Sequence, residues 1–286
     1  MKLIASDLDG TLLNDEGRIS AENVRAVKKA MDLGIRFVVA TGRSYEAARM
    51  PLQAANITCP IISLNGAVTY GADQTVMSRI EMEREVSKKI LKVCQKYNMY
   101  IEFFTSNGIY SESREGFVEV LVDIMKSANP TISEKEIREK ADLRFQAEPV
   151  TFIEHYEQIF DIENLEIYKV LAFSTVQDQL EAVHKELESD TDIAITSSGD
   201  INLEFNHPEA QKGFALKHYA ARLGIDMKDV MSLGDNWNDA SMLEMAGRGV
   251  AMANAADGIK ALCQYTTKSN REHGVAVAIE EMLKSR

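Results

Sequence analysis

Two aspartates stand one residue apart in Ser6-Asp7-Leu8-Asp9-Gly10-Thr11, directly behind the apolar run Leu3-Ile4-Ala5. A carboxylate at the end of a buried strand is costly, and a pair of them needs a reason. In an extended segment residues i and i+2 point the same way, so Asp7 and Asp9 are expected on one face. Two carboxylates that close resist joint ionisation unless a cation intervenes or one keeps a proton. Mg²⁺ would be that cation, because it takes oxygen ligands and usually binds one or two carboxylates together with a substrate phosphate. A carboxylate can also act as nucleophile and form an aspartyl-phosphate. A second, protonated carboxyl can then donate its proton to the leaving oxygen and later take one from water. Asp7 and Asp9 fit those two roles. Gly10 allows a sharp turn where a larger residue would crowd a phosphate. An EF-hand loop is excluded, because the glycine falls at the fourth position rather than the sixth.

Ligands of an open α/β sheet bind beyond the carboxyl ends of its strands. Behind the apolar run Ile35–Ala40 stand Thr41, Gly42 and Arg43. Behind Pro60–Leu64 stand Asn65 and Gly66, and behind Val230–Leu233 stand Asp235, Asn236, Asn238 and Asp239. Lys212 precedes the helix that leads into that last strand. Singly these residues say little. Thr-Gly ends many strands, Arg43 reads equally well as a structural ion pair, and Lys212 as a surface lysine. Asp239 reads as a helix cap, and Trp237 as a packing or rim residue. As an ordered set at successive strand ends they suit a phosphoryl group plus a hard divalent cation, with Asp235 as the distal metal ligand.

The elements that must position this set alternate. Strand signals at 2–6, 35–40 and 60–64 alternate with helix signals at 21–33, which Ser20 caps and Gly34 stops, and at 44–56. That order predicts a doubly wound parallel sheet in an α/β fold, and continuous apolar strands fit burial on both faces. The middle of the chain reads differently. Ser106-Asn107-Gly108 and Ser197-Ser198-Gly199-Asp200 each join two apolar segments as hairpins, among helices at 83–97 and 176–188. Residues 114–145 read as helical, broken at Asn129-Pro130. This stretch predicts a separate α+β domain with an antiparallel sheet. After residue 207 the first pattern returns, with helices at 213–223 and 239–246 and strands at 230–233 and 249–252. The expected organisation is a discontinuous core, 1–82 with 207–286, interrupted by an inserted domain at 83–206.

Composition bounds the partners. The 286 residues carry a net charge of −12 and no Lys/Arg-rich block, which argues against a nucleic-acid binder. An anionic substrate therefore needs local cations or a metal at its site. Cys59, Cys94 and Cys263 are scattered without metal spacing and are expected as buried free thiols. The five histidines are equally dispersed, so a His-based metal site or triad has no support. No apolar run suggests a membrane span, and the acidic motif interrupts any signal-peptide core, so a cytoplasmic protein is expected. No P-loop and no GxGxxG after a strand occurs, which argues against a kinase or an ordinary nucleoside-triphosphate hydrolase.

The motifs resemble those of the haloacid dehalogenase superfamily of Mg²⁺-dependent phosphatases, in particular its Cof-type sugar-phosphate phosphatases. Ser6–Leu12 is similar to the nucleophile motif, Ala40–Arg43 to the second motif, Gln211–Gly213 to the lysine motif and Ser232–Asp239 to the acidic motif. Ser63–Ala67 and Thr266–Glu280 also resemble this subfamily. The resemblance implies Asp7 as nucleophile and metal ligand, and Asp9 as general acid/base that ligates the metal through its carbonyl. It implies phosphate binding by Leu8, Thr41, Gly42, Lys212 and Asn238. Asp235 would ligate the metal with Asn236 assisting, while Asp239, Arg43 and Asn65 support the site. The inserted domain would be the cap of this subfamily. The implied activity is hydrolysis of small phosphorylated metabolites. A phosphomutase would need the same residues, and a non-catalytic binding protein would be expected to break at least one of them. Specificity should lie in the cap, where Tyr110 and Glu204 are candidates only.

Overall fold

A computed structural model describes residues 1–128 and 133–284. The chain divides into two compact units, Met1–Ile80 with Glu209–Arg286, and Glu81–Pro208. The first opens with β1 (Leu3–Ser6), α1 (Ala21–Asp32), β2 (Arg36–Ala40), α2 (Tyr45–Ala54), β3 (Ile61–Ser63), β4 (Val68–Tyr70) and β5 (Val76–Arg79). The inserted unit holds α3 (Arg84–Lys96), β6 (Tyr100–Thr105), β7 (Gly108–Ser111), α4 (Arg114–Ala128), α5 (Glu134–Ala147) and β8 (Val150–Phe152). It continues through α6 (Glu157–Asp161), β9 (Ile167–Phe173), α7 (Gln177–Leu187), β10 (Ala194–Thr196) and β11 (Asn202–Asn206). The first unit then resumes with α8 (Lys212–Arg222), β12 (Val230–Gly234), α9 (Ala240–Met245), β13 (Arg248–Ala251), α10 (Asp257–Leu262), β14 (Tyr265–Thr266) and α11 (Gly274–Lys284).

The sheet of the first unit has the order β14-β13-β12-β1-β2-β3-β4-β5. It is parallel from β14 to β3, as the apolar runs predict. β4 and β5 depart from that expectation, because they extend the sheet antiparallel as a hairpin. A three-residue strand followed by a largely exposed edge strand leaves no continuous apolar run to read. Alternation along β1 sends Ile4 to one face, where it packs with Phe37, Val39, Val27 and Ile279. Leu3 and Ala5 go to the other, with Val38, Ile62, Leu216 and Tyr219. Helices thus cover both faces, which keeps the strand backbones dry and leaves their carboxyl ends for ligands. α1 begins where expected, with the Ser20 hydroxyl accepting from the Asn23 amide at 3.2 Å.

The inserted unit has a six-stranded sheet, β10-β11-β9-β6-β7-β8, over its own core of Ile90, Phe103, Val170 and Phe205. The expected antiparallel sheet needs one correction, since β7 and β8 pair parallel. Their connection runs through α4 and α5, and a parallel pair requires a long crossover of that kind. The expected helix break at Asn129-Pro130 lies outside the described residues. Cys59 and Cys94 are buried free thiols pushed up to about 12 by burial, while Cys263 is only half-buried. Among the described residues no helix is long and apolar enough to cross a membrane.

Candidate active site

β1 delivers Asp7 almost fully buried, and the chain then turns at once through Leu8–Leu12. Gly10 sits at φ +71°, a left-handed conformation that favours glycine. A Cβ there would lie 2.2 Å from Asp235 Oδ2, so the turn and the end of β12 approach too closely for any side chain. The turn also corrects the expectation that Asp7 and Asp9 share one face. Asp7 is enclosed, whereas the Asp9 side chain is 58% exposed.

Asp7, Asp235 and Asp239 come together, with one carboxylate oxygen of each inside a 4.8 Å cluster. Lys212, the first residue of α8 and fully buried, joins two of them. Its Nζ donates to Asp7 Oδ1 at 2.7 Å and to Asp239 Oδ1 at 2.6 Å. The second Asp239 oxygen accepts the backbone N–H groups of Asp235 and Asn236, at 2.9 and 3.0 Å. Asp235 Oδ1 accepts from the Thr11 hydroxyl at 2.8 Å. Asn254, just beyond β13, donates to the Gly10 carbonyl at 2.8 Å and reaches Asp235 Oδ2 at 3.4 Å.

Burial raises the Asp7 carboxyl well above the usual carboxylate range, and the Asp239 charge adds to this against the pull of Lys212. Burial, seconded by Asp239, likewise raises Asp235 to about 7. Burial alone would lower Lys212, but the Asp239 and Asp7 carboxylates outweigh it and hold its ammonium above the ordinary lysine value. Three carboxylates around one ammonium leave surplus negative charge in a buried place. A hard divalent cation would relieve it, and an all-oxygen donor set suits Mg²⁺. The residues present therefore fit a metal. Asp7 and Asp235 could hold it, whereas Asp239 is fully buried and tied to Lys212 and to two backbone N–H groups.

The remaining residues form two groups. Asn65, at φ +60°, donates its amide N–H to the Thr41 carbonyl, and its side-chain oxygen accepts from Asn238 at 3.3 Å. The Leu64 N–H bonds the Arg43 carbonyl, so the ends of β2 and β3 are stitched together with Gly42 between Thr41 and Arg43. Leu8 lies buried inside the turn after β1. At the exposed side, Arg43 grips Asp9 with two parallel hydrogen bonds of 2.7 and 2.6 Å, beside an open cavity of about 620 Å³ that Asn254 and Arg271 also line. Asn236 turns its side-chain oxygen to the Trp237 N–H, in a capping box closed by Asp239. Tyr110 and Glu204 belong to the inserted unit, where Glu204 pairs with buried Lys169 at 3.2 Å. Asn254 was missed in the sequence. Its signal was available, since it follows the apolar run of β13 as Asp235 follows that of β12.

The chain is similar to known proteins along nearly its whole length. A family described as haloacid dehalogenase-like hydrolase matches residues 4–279. Phosphatase YwpJ of Bacillus subtilis is 35% identical over 99% of this chain and 100% of its own. The 5-amino-6-(5-phospho-D-ribitylamino)uracil phosphatase YwtE of the same organism is 39% identical over 99% of this chain and 98% of its own. A solved haloacid dehalogenase-like hydrolase from B. subtilis superposes with a TM-score of 0.88 at 35% identity, covering 99% and 100% of the two chains. With the family match spanning both units and the strand-end residues in place, this chain belongs to the haloacid dehalogenase-like hydrolases.

Proposed function

We propose that this hydrolase is a Mg²⁺-dependent phosphatase that cleaves small phosphorylated, sugar-phosphate-like metabolites through an aspartyl-phosphate on Asp7. The observation that carries this reading is the buried chain Asp7–Lys212–Asp239 beside Asp235. It fixes one carboxylate, supplies one cation and leaves charge for a second. Mg²⁺, held by Asp7, Asp235 and the Asp9 carbonyl with Asn236 close by, would neutralise phosphoryl oxygens as charge moves onto them. Lys212, Thr41, Gly42, Asn238 and the Leu8 N–H are assigned to hold the phosphate.

A carboxylate oxygen of Asp7 attacks phosphorus while the bond from phosphorus to the substrate oxygen breaks. Protonated Asp9 gives its proton to that leaving oxygen. Ionised Asp9 then removes a proton from water, the water oxygen attacks the same phosphorus, and the bond to Asp7 breaks to release inorganic phosphate. Both Asp9 oxygens accept from Arg43 at rest, so Asp9 must leave that partner and take up a proton from solvent before it serves the leaving oxygen. Asp239 orients Lys212. The Glu81–Pro208 unit, as cap, is assigned the choice of substrate. The phosphatase activity in the name of YwpJ supports hydrolysis, and the substrate in the name of YwtE supports a small phosphorylated metabolite.

Hydrolysis of p-nitrophenyl phosphate by the purified chain tests the reading. Turnover is expected with Mg²⁺, is expected to vanish with EDTA, and is expected to fall below detection in Asp7→Asn. Full activity in that variant, or in EDTA, would overturn it. Inorganic phosphate released in step with alcohol from a sugar phosphate separates hydrolysis from phosphoryl transfer to another hydroxyl.

A further inference from the structure

Gly258 is the second residue of α10, and it is not among the glycines with positive φ. No left-handed turn asks for glycine there, and glycine is the least favourable helical residue after proline. Space asks for it instead. A Cβ on Gly258 would lie 2.7 Å from two carbons of the Trp237 indole, and the three nearest atoms it would meet all belong to that ring. Trp237 is the single tryptophan of the chain, and it is 50% exposed. An indole left half in water gives up much of the burial that usually places one. The notch at Gly258 therefore fixes the ring rather than hides it.

The segments on either side of this contact both serve the Asp7 cluster. Trp237 opens the short turn Trp237–Asp239 beyond β12, and its N–H donates to Asn236 Oδ1 at 2.8 Å. Asp235 stands two residues before it. β13 runs parallel beside β12, so the segments beyond their carboxyl ends are neighbours. The second of these carries Asn254 and leads into α10. At their base the Met252 N–H donates to the Gly234 carbonyl at 3.0 Å. Beyond it Asn254 donates to the Gly10 carbonyl at 2.8 Å but reaches Asp235 Oδ2 only at 3.4 Å, a long and weak hydrogen bond. The indole against Gly258 is a further tie between the same two segments.

We propose that Trp237 is a positioning residue for the metal site: wedged against Gly258, it clamps the segment that carries Asp235 to the segment that carries Asn254 and so holds both side chains in place ahead of the metal. This role rests on the metal reading of the Asp7 cluster and adds to it a side chain that touches neither metal nor substrate. Size matters, because the far edge of the indole occupies the space that glycine leaves. Stiffness matters too, since an indole has only two side-chain torsions to fix. Loss of the clamp should loosen Asp235 without unmaking the core, because the ring is half-exposed. Partners outside the ligand set act on a metal in this way, by orienting the groups that bind it.

The test uses the full chain, with Mg²⁺ binding followed by calorimetric titration at mildly alkaline pH and Tm measured in EDTA. Trp237→Ala and Gly258→Ala are each expected to weaken Mg²⁺ binding about tenfold, the lower end of what losing an outer partner costs a metal site. A ring that merely packed would lower the Tm of the metal-free chain and leave the Mg²⁺ affinity of the folded chain unchanged. Trp237→Phe combined with Gly258→Ala should recover most of the affinity, because the shorter ring leaves room for a methyl group. Trp237→Phe alone should not. The single tryptophan also reports on its own seat, so Gly258→Ala should move its emission to longer wavelength as the ring swings into water. A wild-type chain that binds no Mg²⁺ overturns the metal reading and this role with it. Mg²⁺ binding by the wild type that survives unchanged in Trp237→Ala and Gly258→Ala overturns the role alone. So does a paired variant that recovers nothing of what Gly258→Ala loses.

Discussion

Asp239 is tied through both of its oxygens. One accepts from Lys212 and the other from the N–H groups of Asp235 and Asn236. It is fully buried and so is Lys212, so the pair is held by mutual need rather than by solvent. Breaking such a pair leaves an uncompensated buried charge. Asp239→Ala is therefore expected to lower unfolding stability by about 3–5 kcal/mol in urea titration, and a loss below about 1 kcal/mol would contradict that role. Asp235 carries a different consequence. Burial raises its carboxyl from 3.8 to about 7 without a metal, so the folded chain holds that proton more tightly than the unfolded one. The resulting stabilisation is full below pH 3.8 and is lost as pH climbs towards 7. A cation replaces the proton. Mg²⁺ should thus raise Tm more at mildly alkaline than at mildly acidic pH, and Asp235→Asn should flatten that difference in a thermal-shift assay. An equal Mg²⁺ shift at both pH values would count against the carboxylate as ligand. The types of Asp7, Lys212 and Asp235 made them legible in the sequence. Asn254 and Thr11 do their work by hydrogen bonding Asp235, a partnership across more than 200 residues for Thr11 that no local pattern records.

Elements decide where those side chains stand. The turn after β1 is the sharpest case, since Gly10 combines a left-handed backbone with a contact that admits no Cβ. Gly10→Ala should push the turn off Asp235. The Mg²⁺-induced Tm shift should disappear and kcat should fall by about 10²-fold, the usual result of an ångström-scale misplacement. Wild-type values for both would mean the turn yields without cost. The parallel strands were readable because burial on both faces demands continuous apolar runs, as in Phe37-Val38-Val39-Ala40. The β4–β5 hairpin was not, because β5 is an edge strand with little to bury. The turn between them is held instead by Asp73, whose carboxylate accepts from the Thr75 hydroxyl at 2.7 Å. The same turn chemistry explains the correction at Asp9. Extended geometry predicts a shared face with Asp7, but the chain stops being extended at Leu8.

At the scale of the whole molecule, the larger sets of buried side chains among the described residues each stay within one unit. Two lie on the two faces of the β1 sheet, and another belongs to the inserted unit. Calorimetric unfolding is expected to resolve two transitions, with Mg²⁺ raising only that of the Asp7-bearing unit, since a ligand stabilises what binds it. A single transition shifted as one would show the units to unfold together. The hairpins and the returning strand–helix pattern made the insertion legible, whereas β8 and its parallel partnership depend on a crossover through α4 and α5 that carries no turn signal.

The strand order has a further consequence during synthesis. β1 lies between β2 and β12, and β12 begins only at Val230. At about 5–20 residues per second, roughly 10–45 s separate the appearance of β1 from that of its second neighbour. Through that interval the strand carrying Asp7 has one open edge, of the kind that invites pairing with another chain. Glu81–Pro208 is continuous in sequence and can complete itself meanwhile. The inserted domain can thus be complete while the strand that carries Asp7 still waits, half-paired, for the last fifth of the chain.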